Sequence, residues 1–519
     1  MCKNCFLSVA AVLGVFFLHA QVPEDALRLS WTVPSGTARQ QAIGGAMGSL
    51  GGEISAAYVN PAGLGFYKTS EAVLSPGFRF QTNNTDYRGT QTKSSSVNSF
   101  NLGTSGLVLG FAKNGGNSSA LAITANRVAN FSSHVYYKGQ NDYSSFSEQY
   151  AQEFASSGLS INDGINSPQL SYGTRMALYS YLIDTATLGG TTQVIGLPQK
   201  VLNAQGALNQ LNSSNVSGGV TEVALGMGWN FHDRFYVGGT LGIPIVNYVR
   251  DLSFTETDAT GNTNNDFATA TYTEHYTSSG GGVNLKIGGI FKPSDEWRIG
   301  LAVHSPTWYT LTDNLSATMS TNTENYTTIP QPIVVSSATL DNGSGLAGGS
   351  TKYDIVSPWK FLLSGSYVIG SGVENTKSQK GFITADLEYV TTGSSRFSPG
   401  DAHTDASYYQ GVNGAVSHYY HGTFDLKLGG ELKFNTFAAR AGVAYYTNPY
   451  QDKSLSANRL FVSGGVGYRN KGIFIDLTYV AGFSKNVNFP YRLAAPRANT
   501  FASMKENSGT VLLTIGFKL

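Results

Sequence analysis

The chain has 519 residues and is poor in charge: Asp, Glu, Lys and Arg make up 13% of it, and the formal net charge is +1. Ordinary soluble domains carry about 25% charged residues, and a nearly neutral chain gives no electrostatic basis for binding nucleic acid. Glycine (61 residues), tyrosine (29) and phenylalanine (28) are abundant. This composition is typical of proteins with many strands and turns and with aromatic girdles at membrane interfaces.

Residues 1–20 predict an export signal peptide. Lys3 supplies its positive charge, residues 6–18 form an apolar run that is shorter than a spanning helix, and Ala20 is a suitable cleavage position. A buried helix or a retained anchor is the alternative. Cys2 and Cys5 both lie in this segment, so we expect a mature chain without disulfides or Cys-ligated metal.

From Glu71 onward the chain repeats a unit of about ten residues with alternating polarity, followed by a break. In residues 509–519, for example, every second residue from Val511 onward is apolar. Fourteen segments of this kind start near Glu71, Ser99, Ser118, Gly219, Arg234, Thr271, Trp297, Tyr353, Gly381, Tyr419, Phe437, Arg459, Gly472 and Ser508.

The breaks between these segments alternate in length. The short ones are residues 112–117, 232–233, 292–296, 371–380, 435–436 and 470–471, and the long ones are 82–98, 128–218, 258–270, 311–352, 391–418, 447–458 and 484–507. Bacterial outer-membrane barrels have short periplasmic turns, longer outside loops and an even number of strands. A soluble β-sandwich or propeller, the alternative, has no reason to alternate its connections in this way.

No run of about 18 apolar residues follows residue 20, so a membrane protein with this sequence has to be a closed barrel, in which every backbone group is paired. We therefore predict an all-β fold: a transmembrane antiparallel β-barrel of about 14 strands over residues 71–519, in the outer membrane of a Gram-negative bacterium. A charge on the lipid face costs about 2–4 kcal/mol at the midplane. The charged residues expected to point into the lumen are Asp386, Glu388, Asp425, Lys427, Glu431, Lys433 and Arg440.

The break 128–218 is too long for a bare loop. Apolar residues recur at helical spacing in three stretches: Phe146, Tyr150 and Phe154; Tyr172, Met176, Tyr179 and Ile183; and Val201, Leu208 and Leu211. This spacing predicts short amphipathic helices in the extracellular loop, packed over the barrel mouth. The candidate residues for a lip that first contacts a ligand are Phe146, Phe154, Tyr172 and Tyr179. A loop that packs only on itself is the alternative.

Residues 21–70 do not alternate in polarity. They contain SGTAR (35–39), AIGGAMG (42–48) and NPAGLG (60–65). Glycine permits close backbone packing and left-handed turns, and Asn-Pro favours a turn. A compact segment rich in small residues before the barrel predicts a plug, or hatch, because a lumen of fourteen strands would otherwise hold water.

These motifs, followed by an alternating strand, resemble the N-terminal hatch of the FadL/TodX family of outer-membrane transporters. The resemblance continues at residues 283–293 (VNLKIGGIFKP), 301–309 (LAVHSPTWY) and 385–390 (ADLEYV), and so extends over most of the mature chain. It implies a fourteen-stranded barrel with a plug. It also implies passive transport of hydrophobic compounds, above all long-chain fatty acids and aromatic hydrocarbons. One branch of the family is labelled hemin receptor.

The resemblance implies two further sites. The candidate hatch and gating residues are Asn60, Pro61, Ala62 and Gly63, for which a plain packed turn is the alternative. In the family, a sideways gap in the wall forms where a strand is kinked. Gly103 and Gly106 interrupt the alternation of the second strand, and glycine within a strand often marks a bulge or bend. Ordinary strand curvature is the alternative there.

Other functions compete with transport of a hydrophobic solute. A general diffusion porin would lack the plug, and a structural or adhesive barrel would also suit loops rich in Ser, Thr, Asn and Tyr. Heme uptake or metal binding would need ligands, such as His418 and His421 beside Tyr419 and Tyr420. His304, in a predicted strand, is expected to be a hydrogen-bonded wall residue. No histidine lies in an H-E-x-x-H pattern, and we expect no enzyme, cofactor or metal site.

The expected partners are a hydrophobic small molecule, outer-membrane lipid and the barrel-assembly machinery. The last three residues, Phe517, Lys518 and Leu519, depart from the aromatic ending that is common in barrel proteins. An apolar final residue keeps part of that assembly signal.

Overall fold

A computed structural model describes residues 22–30, 33–167, 169–188, 190–341, 349–370, 379–400 and 406–519. The predicted signal peptide, residues 1–20, lies outside the described residues. Within the described ranges, fourteen antiparallel strands form the barrel, and several are interrupted once. Their bounds in chain order are β1, Glu71–Leu74 with Pro76–Tyr87; β2, Val97–Leu102 with Ser105–Ala112; β3, Ser118–Asn130 with Ser133–Asn141; β4, Leu208–Phe231; β5, Phe235–Asp258; β6, Thr269–Phe291; β7, Trp297–His304 with Trp308–Asn322; β8, Ser350–Val356 with Lys360–Ile369; β9, Gly381–Val390 with Arg396–Pro399; β10, Thr423–Phe434; β11, Phe437–Tyr446; β12, Arg459–Asn470; β13, Ile473–Asn488; and β14, Ala502–Lys518.

The barrel closes because the last strand pairs with the first. Glu71 lies opposite Lys518, and the ladder continues to Asp86 opposite Ser503. The predicted fold class is therefore confirmed. Most strands begin within a few residues of the predicted positions, but β4 begins at Leu208 rather than near Gly219, and β14 begins at Ala502 rather than near Ser508.

The tenth strand was also misplaced by the sequence pattern. Tyr419 ends a helix, and β10 begins only at Thr423. The reason is that Tyr419 and Tyr420 extend the alternating pattern backwards, although the helix before them buries Tyr408, Tyr409 and other apolar residues at helical spacing. The short break at residues 232–233 is a tight turn: His232 and Asp233 both have φ +54°, as in the two-residue turns that match the twist of paired strands.

The outward face of the barrel is apolar and bounded by two aromatic girdles. Beside the short turns lie Phe111, Phe231, Phe235, Phe291, Trp297, Phe434, Phe437 and Phe517, all exposed. Further along the strands lie Phe80, Phe100, Trp308, Trp359, Tyr389, Phe424, Tyr445 and Tyr479, also exposed. On β10 the two rings are Phe434 and Phe424, a spacing that suits the roughly 9–11 residues with which a tilted strand spans a bilayer.

Several strands continue beyond the outer girdle. β4 and β5 each have 24 residues and β6 has 23, about twice what a bilayer requires. Their outer ends and the loops carry the helices outside the hatch: α4 (Ser147–Ser157), α5 (Ile161–Asn166), α6 (Tyr172–Tyr179), α7 (Pro198–Asn203) and α8 (Ala406–Tyr419). The predicted helices in the extracellular loops are thus present. Leu208 and Leu211, however, belong to β4 and not to a third helix. Among the described residues, no helix is long and apolar enough to cross a membrane.

Candidate functional site: hatch and barrel wall

Residues 33–70 lie inside the barrel and form the hatch. Its elements are α2 (Ala38–Ala42), α3 (Ala56–Val59) and a 3₁₀ turn (Pro61–Phe66). Gly36 has φ +107°, a conformation that glycine adopts far more readily than other residues. Thr37 follows as the N-cap of α2, and its side chain accepts a hydrogen bond from the backbone N–H of Gln40. The motif SGTAR is therefore a sharp bend that leads directly into a helix.

The inward face of the wall carries glycine where it touches the hatch. A Cβ atom added at Gly442 would lie 2.1 Å from the backbone nitrogen of Gly44, and one at Gly300 would lie 2.3 Å from the carbonyl oxygen of Gly48. Such distances are too short for any side chain, so close packing of the hatch requires glycine there. The other wall glycines with a hatch atom within 3.0 Å of an added Cβ are Gly103, Gly110, Gly226, Gly228, Gly238, Gly288, Gly429 and Gly465.

Asn60 connects the hatch to the wall. Its Nδ2 donates to the carbonyl oxygens of Gly48 at 2.6 Å and of Gly289, on β6, at 3.2 Å. Its Oδ1 accepts from the backbone N–H of Ala62 at 3.1 Å and so caps the 3₁₀ turn. Pro61, Ala62 and Gly63 are buried in that turn. The structure thus brings the four candidate hatch residues together against the wall, and their part in gating stays a prediction.

Buried charges also hold the hatch. Arg39 of α2 forms an ion pair with Glu431 at 3.1 Å, and Arg440 bridges Glu431 and Asp476, each at 2.6 Å. Asp386 accepts hydrogen bonds from the backbone N–H groups of Met47 and Gly48, each at 3.1 Å. The inward orientation predicted for these wall charges is confirmed, and the hatch covers them.

Glu53 is a buried carboxyl group within the hatch itself. The Thr37 hydroxyl donates to its Oε1 at 2.6 Å, and the backbone N–H of Ser55 donates to its Oε2 at 2.9 Å. Burial raises the pKa of Glu53 above the ordinary glutamate value, and these hydrogen bonds only partly offset the effect. The side chain ties the bend before α2 to the turn before α3.

β2 is broken at Gly103 and Thr104, which belong to no strand. On the periplasmic side of the break, Ser105–Ala112 pairs with β3 and its first residues also pair with β1. On the outer side, among the described strands, Val97–Leu102 pairs only with β1, while residues 126–130 of β3 pair only with β4. We call this stretch, residues 97–102 facing 126–130, the seam.

Both candidate kink glycines lie at the periplasmic end of the seam. Gly106 has φ +150°, and an added Cβ there would lie 2.2 Å from the carbonyl oxygen of Ile123. A Cβ at Gly103 would lie 2.4 Å from the carbonyl oxygen of Gly36. The bend in β2 therefore brings the wall directly against the hatch. Whether a solute leaves here is not tested by this geometry and stays a prediction.

Few charged residues lie on the two strands that border the seam. Residues 97–112 contain no charged residue. Residues 118–130 contain only Arg127, which faces outward because its neighbour Asn126 points inward, with Nδ2 3.4 Å from Ser35 Oγ of the hatch. Elsewhere the wall presents buried ion pairs, such as Lys286 with Glu222. A solute that passes β2 and β3 at the seam therefore meets the side chain of Arg127 and, from β1, the guanidinium group of Arg79.

The lumen on the outer side of the hatch is filled by α1 (Pro23–Ser30) and α8. Leu27 of α1 belongs to the same buried apolar cluster as Tyr408, Val412 and Val416 of α8. Asp25 and Arg28 of α1 form an ion pair at 2.7 Å. One small cavity beside Leu27 measures about 20 Å³, which has room for about one water molecule.

Three of the four candidate lip residues lie in an apolar core of the outer loops. Phe146, Phe154 and Tyr172 are at most 6% exposed and pack with the outer ends of β4 to β7. The ring centroids of Phe146 and Phe254 are 4.9 Å apart. Tyr179, at the end of α6, is 44% exposed. Of these four candidates, Tyr179 alone therefore offers its side chain to a solute without rearrangement of the loops.

His304 belongs to the barrel wall, whereas His418 and His421 lie at and just after the end of α8. His304 Nε2 is 2.9 Å from the carbonyl oxygen of Val59, as expected for a hydrogen-bonded wall residue. His418 lies near the end of α8, and Nδ1 of His421 lies 2.7 Å from the carbonyl oxygen of Gly422. The described residues contain no group of three or more His, Cys, Asp or Glu that could hold a metal ion.

These features define a closed fourteen-stranded transmembrane barrel with an internal hatch. Three solved structures are similar over 94% of this chain and 99% of theirs. They are a FadL homologue from Pseudomonas aeruginosa (14% identity, TM-score 0.56), the toluene transporter TodX from P. putida (13%, 0.52) and the toluene transporter TbuX from Ralstonia pickettii (12%, 0.50). The plugged barrel that the resemblance implied is thereby confirmed as the fold. No family model and no curated protein matches the chain.

Proposed function

We propose that the chain is a passive outer-membrane transporter of hydrophobic small molecules. The observation that carries this proposal is the seam: a break in the wall that no backbone ladder closes, with the hatch directly behind it. The fold that it shares with a FadL homologue and two toluene transporters agrees with this function. The proposal involves no catalytic step and no cofactor. It places the apolar band in outer-membrane lipid and assigns insertion to the barrel-assembly machinery.

The solute first binds at the outer loops, where Tyr179 is exposed above the apolar core. Burial of each methylene group contributes about 0.8 kcal/mol, so a hydrocarbon chain or ring binds without dedicated polar groups. The proposed solutes are long-chain fatty acids or aromatic hydrocarbons. The solute then passes into the lumen, where α1 has to move, and leaves sideways at the seam.

A sideways exit costs less than a straight path through the hatch. The straight path would separate the hatch from the wall and break the ion pair between Arg39 and Glu431. Removing one partner of a buried ion pair typically costs about 3–5 kcal/mol. At the seam, by contrast, no backbone ladder has to be broken. The hatch then blocks the straight path and so directs the solute to the seam.

Uptake by whole cells tests the proposal. The chain is produced in Gram-negative cells whose own transporters of hydrophobic compounds are deleted, and uptake of labelled oleate, toluene and heme is compared with empty-vector cells. We expect uptake of oleate or toluene. Absence of uptake for every probe, although heat-dependent gel mobility shows an assembled barrel, would contradict it. Lipid extraction of the purified protein would identify a bound solute.

Planar-bilayer recording separates this function from that of a general diffusion porin, the second candidate. A porin passes ions steadily, whereas the hatch held by Arg39, Asn60 and the wall glycines should keep the conductance of this barrel low. Steady conductance of the intact chain, together with uptake of small hydrophilic solutes, would favour the porin instead.

A further inference from the structure

Side chains, and not a backbone ladder, join the two edges of the seam. Asn130 Nδ2 on β3 donates to Ser99 Oγ on β2 at 3.0 Å. Arg79 Nη1 on β1 donates to the backbone carbonyl oxygen of Asn130 at 3.2 Å. Asn130 is therefore bound through its side chain to one edge of the seam and through its carbonyl group to the strand behind that edge.

Arg79 is held in place by the rest of the wall. It lies opposite Ser99 in the ladder between β1 and β2, and its Nη2 forms an ion pair with Glu506 of β14 at 2.8 Å. Its side chain is 13% exposed. The guanidinium group thus crosses β2 on the lumen side and connects β14, β1 and β3.

Further side chains join β1 to β3 beyond Asn130. Asn83 Nδ2 donates to the carbonyl oxygen of His134 at 2.7 Å, and Thr85 Oγ1 donates to that of Tyr136 at 2.8 Å. On the periplasmic side the seam ends where the β2–β3 ladder begins, at Ser105 opposite Ala125. The weakly joined stretch is thus bounded at both ends, and Asn130 lies between them.

An unpaired strand edge in a bilayer is costly, because lipid offers its backbone groups no hydrogen-bond partner. A regular backbone ladder would remove that cost. Here two hydrogen bonds made by side chains stand in place of the ladder. Such bonds can break and form again without a change of strand register. A stretch of wall joined in this way can open while the ladders on either side stay intact.

We propose that Asn130, bound by Ser99 and Arg79, is the latch of a gate in the barrel wall, and that this latch has to open for a hydrophobic solute to leave the lumen. The inference rests on the proposed function and deepens it, since it assigns control of solute release to particular residues. Asn130 is a positioning residue: it controls the distance between β2 and β3 and need not contact the solute.

A reducible crosslink tests the latch. Cys2 and Cys5 are the only cysteines in the sequence, so Ser99→Cys with Asn130→Cys supplies the only thiols of residues 6–519. A short bis-methanethiosulfonate reagent then bridges the seam, and dithiothreitol removes the bridge. The matched control is Leu109→Cys with Leu121→Cys, which joins the same two strands at directly opposite, lipid-facing positions in the regular ladder.

We expect the bridged seam to take up oleate or toluene at least about tenfold more slowly than wild type, and to recover when the bridge is reduced, because every released molecule has to pass the seam. The bridged control should transport like wild type. Undiminished uptake with a bridge confirmed by mass spectrometry would overturn the latch but leave the transport function standing. No uptake by wild type would overturn both.

Asn130→Ala gives an independent readout. It removes the bond to Ser99 and the bond that Asn130 Oδ1 accepts from the backbone N–H of Ser132 at 3.0 Å, but leaves the carbonyl group that binds Arg79. The bond to Ser99 is the one that crosses the seam, so its loss shifts the gate toward its open form, and we expect initial uptake to rise about fivefold. A rate equal to or below that of wild type, with an assembled barrel, would argue against the latch.

Discussion

The side-chain amide of Asn60 donates a hydrogen bond of 2.6 Å to the carbonyl oxygen of Gly48, and so joins two loops of the hatch that are twelve residues apart. The same nitrogen also donates to Gly289 of the wall. Gly288 permits this contact, because a Cβ atom there would lie 1.9 Å from Asn60 Oδ1. One side chain therefore contributes both to the internal structure of the hatch and to its attachment to β6.

Asn60→Ala should lower uptake of a hydrophobic solute and raise ion conductance, while the barrel stays assembled. The change leaves the buried Gly48 carbonyl without its partner, at a cost of about 1–3 kcal/mol. A loosened hatch lets ions pass and no longer directs the solute to the seam. Whole-cell uptake and planar-bilayer conductance measure the two effects. Asn264→Ala, in an exposed outer loop, is the control, and equal behaviour of both variants would remove Asn60 from the mechanism.

Gly442→Ala should displace the hatch, whereas Gly365→Ala should not. The new methyl group at residue 442 would meet the backbone of Gly44, but at residue 365 no atom lies within 4 Å of the added Cβ. Overpacking of this kind costs about 1–3 kcal/mol. Protease sensitivity of the hatch and bilayer conductance should both increase for Gly442→Ala alone. A tightly closed Gly442→Ala variant would show that the hatch adapts more readily than its packing indicates.

Arg39→Gln should destabilise the hatch more than Arg39→Lys. Glutamine removes the positive charge that faces Glu431, and a broken buried ion pair costs about 3–5 kcal/mol. Arg440 would still neutralise part of the charge of Glu431. Lysine retains the charge but not the planar group that also reaches Glu431 Oε1 at 3.4 Å. Amide hydrogen exchange of peptides from residues 36–50 measures the effect, and identical exchange in both variants would contradict it.

The alternation of polarity in the sequence was sufficient to predict the barrel, because the same rule of inward and outward faces applies to every strand. In β10 and β11, every second residue faces lipid and is apolar, and the residues between them face the hatch and are polar or small. Phe424 and Phe434 accordingly face outward, while Asp425 and Glu431 face inward. Two-residue turns between these strands then fix their ends. The position of the hatch could likewise be predicted, since its motifs do not alternate.

The contacts between hatch and wall could not be predicted, because they join residues hundreds of positions apart. Arg39 and Glu431 are separated by 392 residues, and nothing local indicates that they meet. One signal was available: Gly226, Gly228 and Gly429 lie on inward faces, where small residues leave room for a packed segment. The latch at Asn130 was also missed, because it depends on a ladder that is absent between two adjacent strands.

Phe154→Ala and Tyr179→Ala separate packing from ligand contact in the outer loops. Phe154 is 2% exposed, and its truncation should cost about 3–5 kcal/mol of loop stability. Tyr179 is 44% exposed, so its truncation should leave stability unchanged and weaken solute binding. Limited proteolysis of residues 128–218 reports the first effect, and the concentration for half-maximal uptake reports the second. Unaltered uptake by Tyr179→Ala would remove it from the proposed lip.

Glu53→Gln should alter the pH dependence of hatch stability. Burial raises the pKa of Glu53 in the folded hatch, so the folded form binds its proton more tightly than the unfolded form does. Stability from this group is therefore present at low pH and is lost as pH rises from the unfolded value, about 4.3, through the raised folded value. Glutamine does not ionise, and its amide oxygen can still accept from the Thr37 hydroxyl.

We therefore expect the Glu53→Gln hatch to exchange its amides more slowly than wild type at pH 8, after correction for intrinsic rates, and the difference to shrink toward pH 4. Asp295→Asn, on an exposed periplasmic turn, should follow the wild-type profile. A difference that is the same at pH 4 and pH 8 would mean that Glu53 acts through its hydrogen bonds to Thr37 and Ser55 and not through its charge.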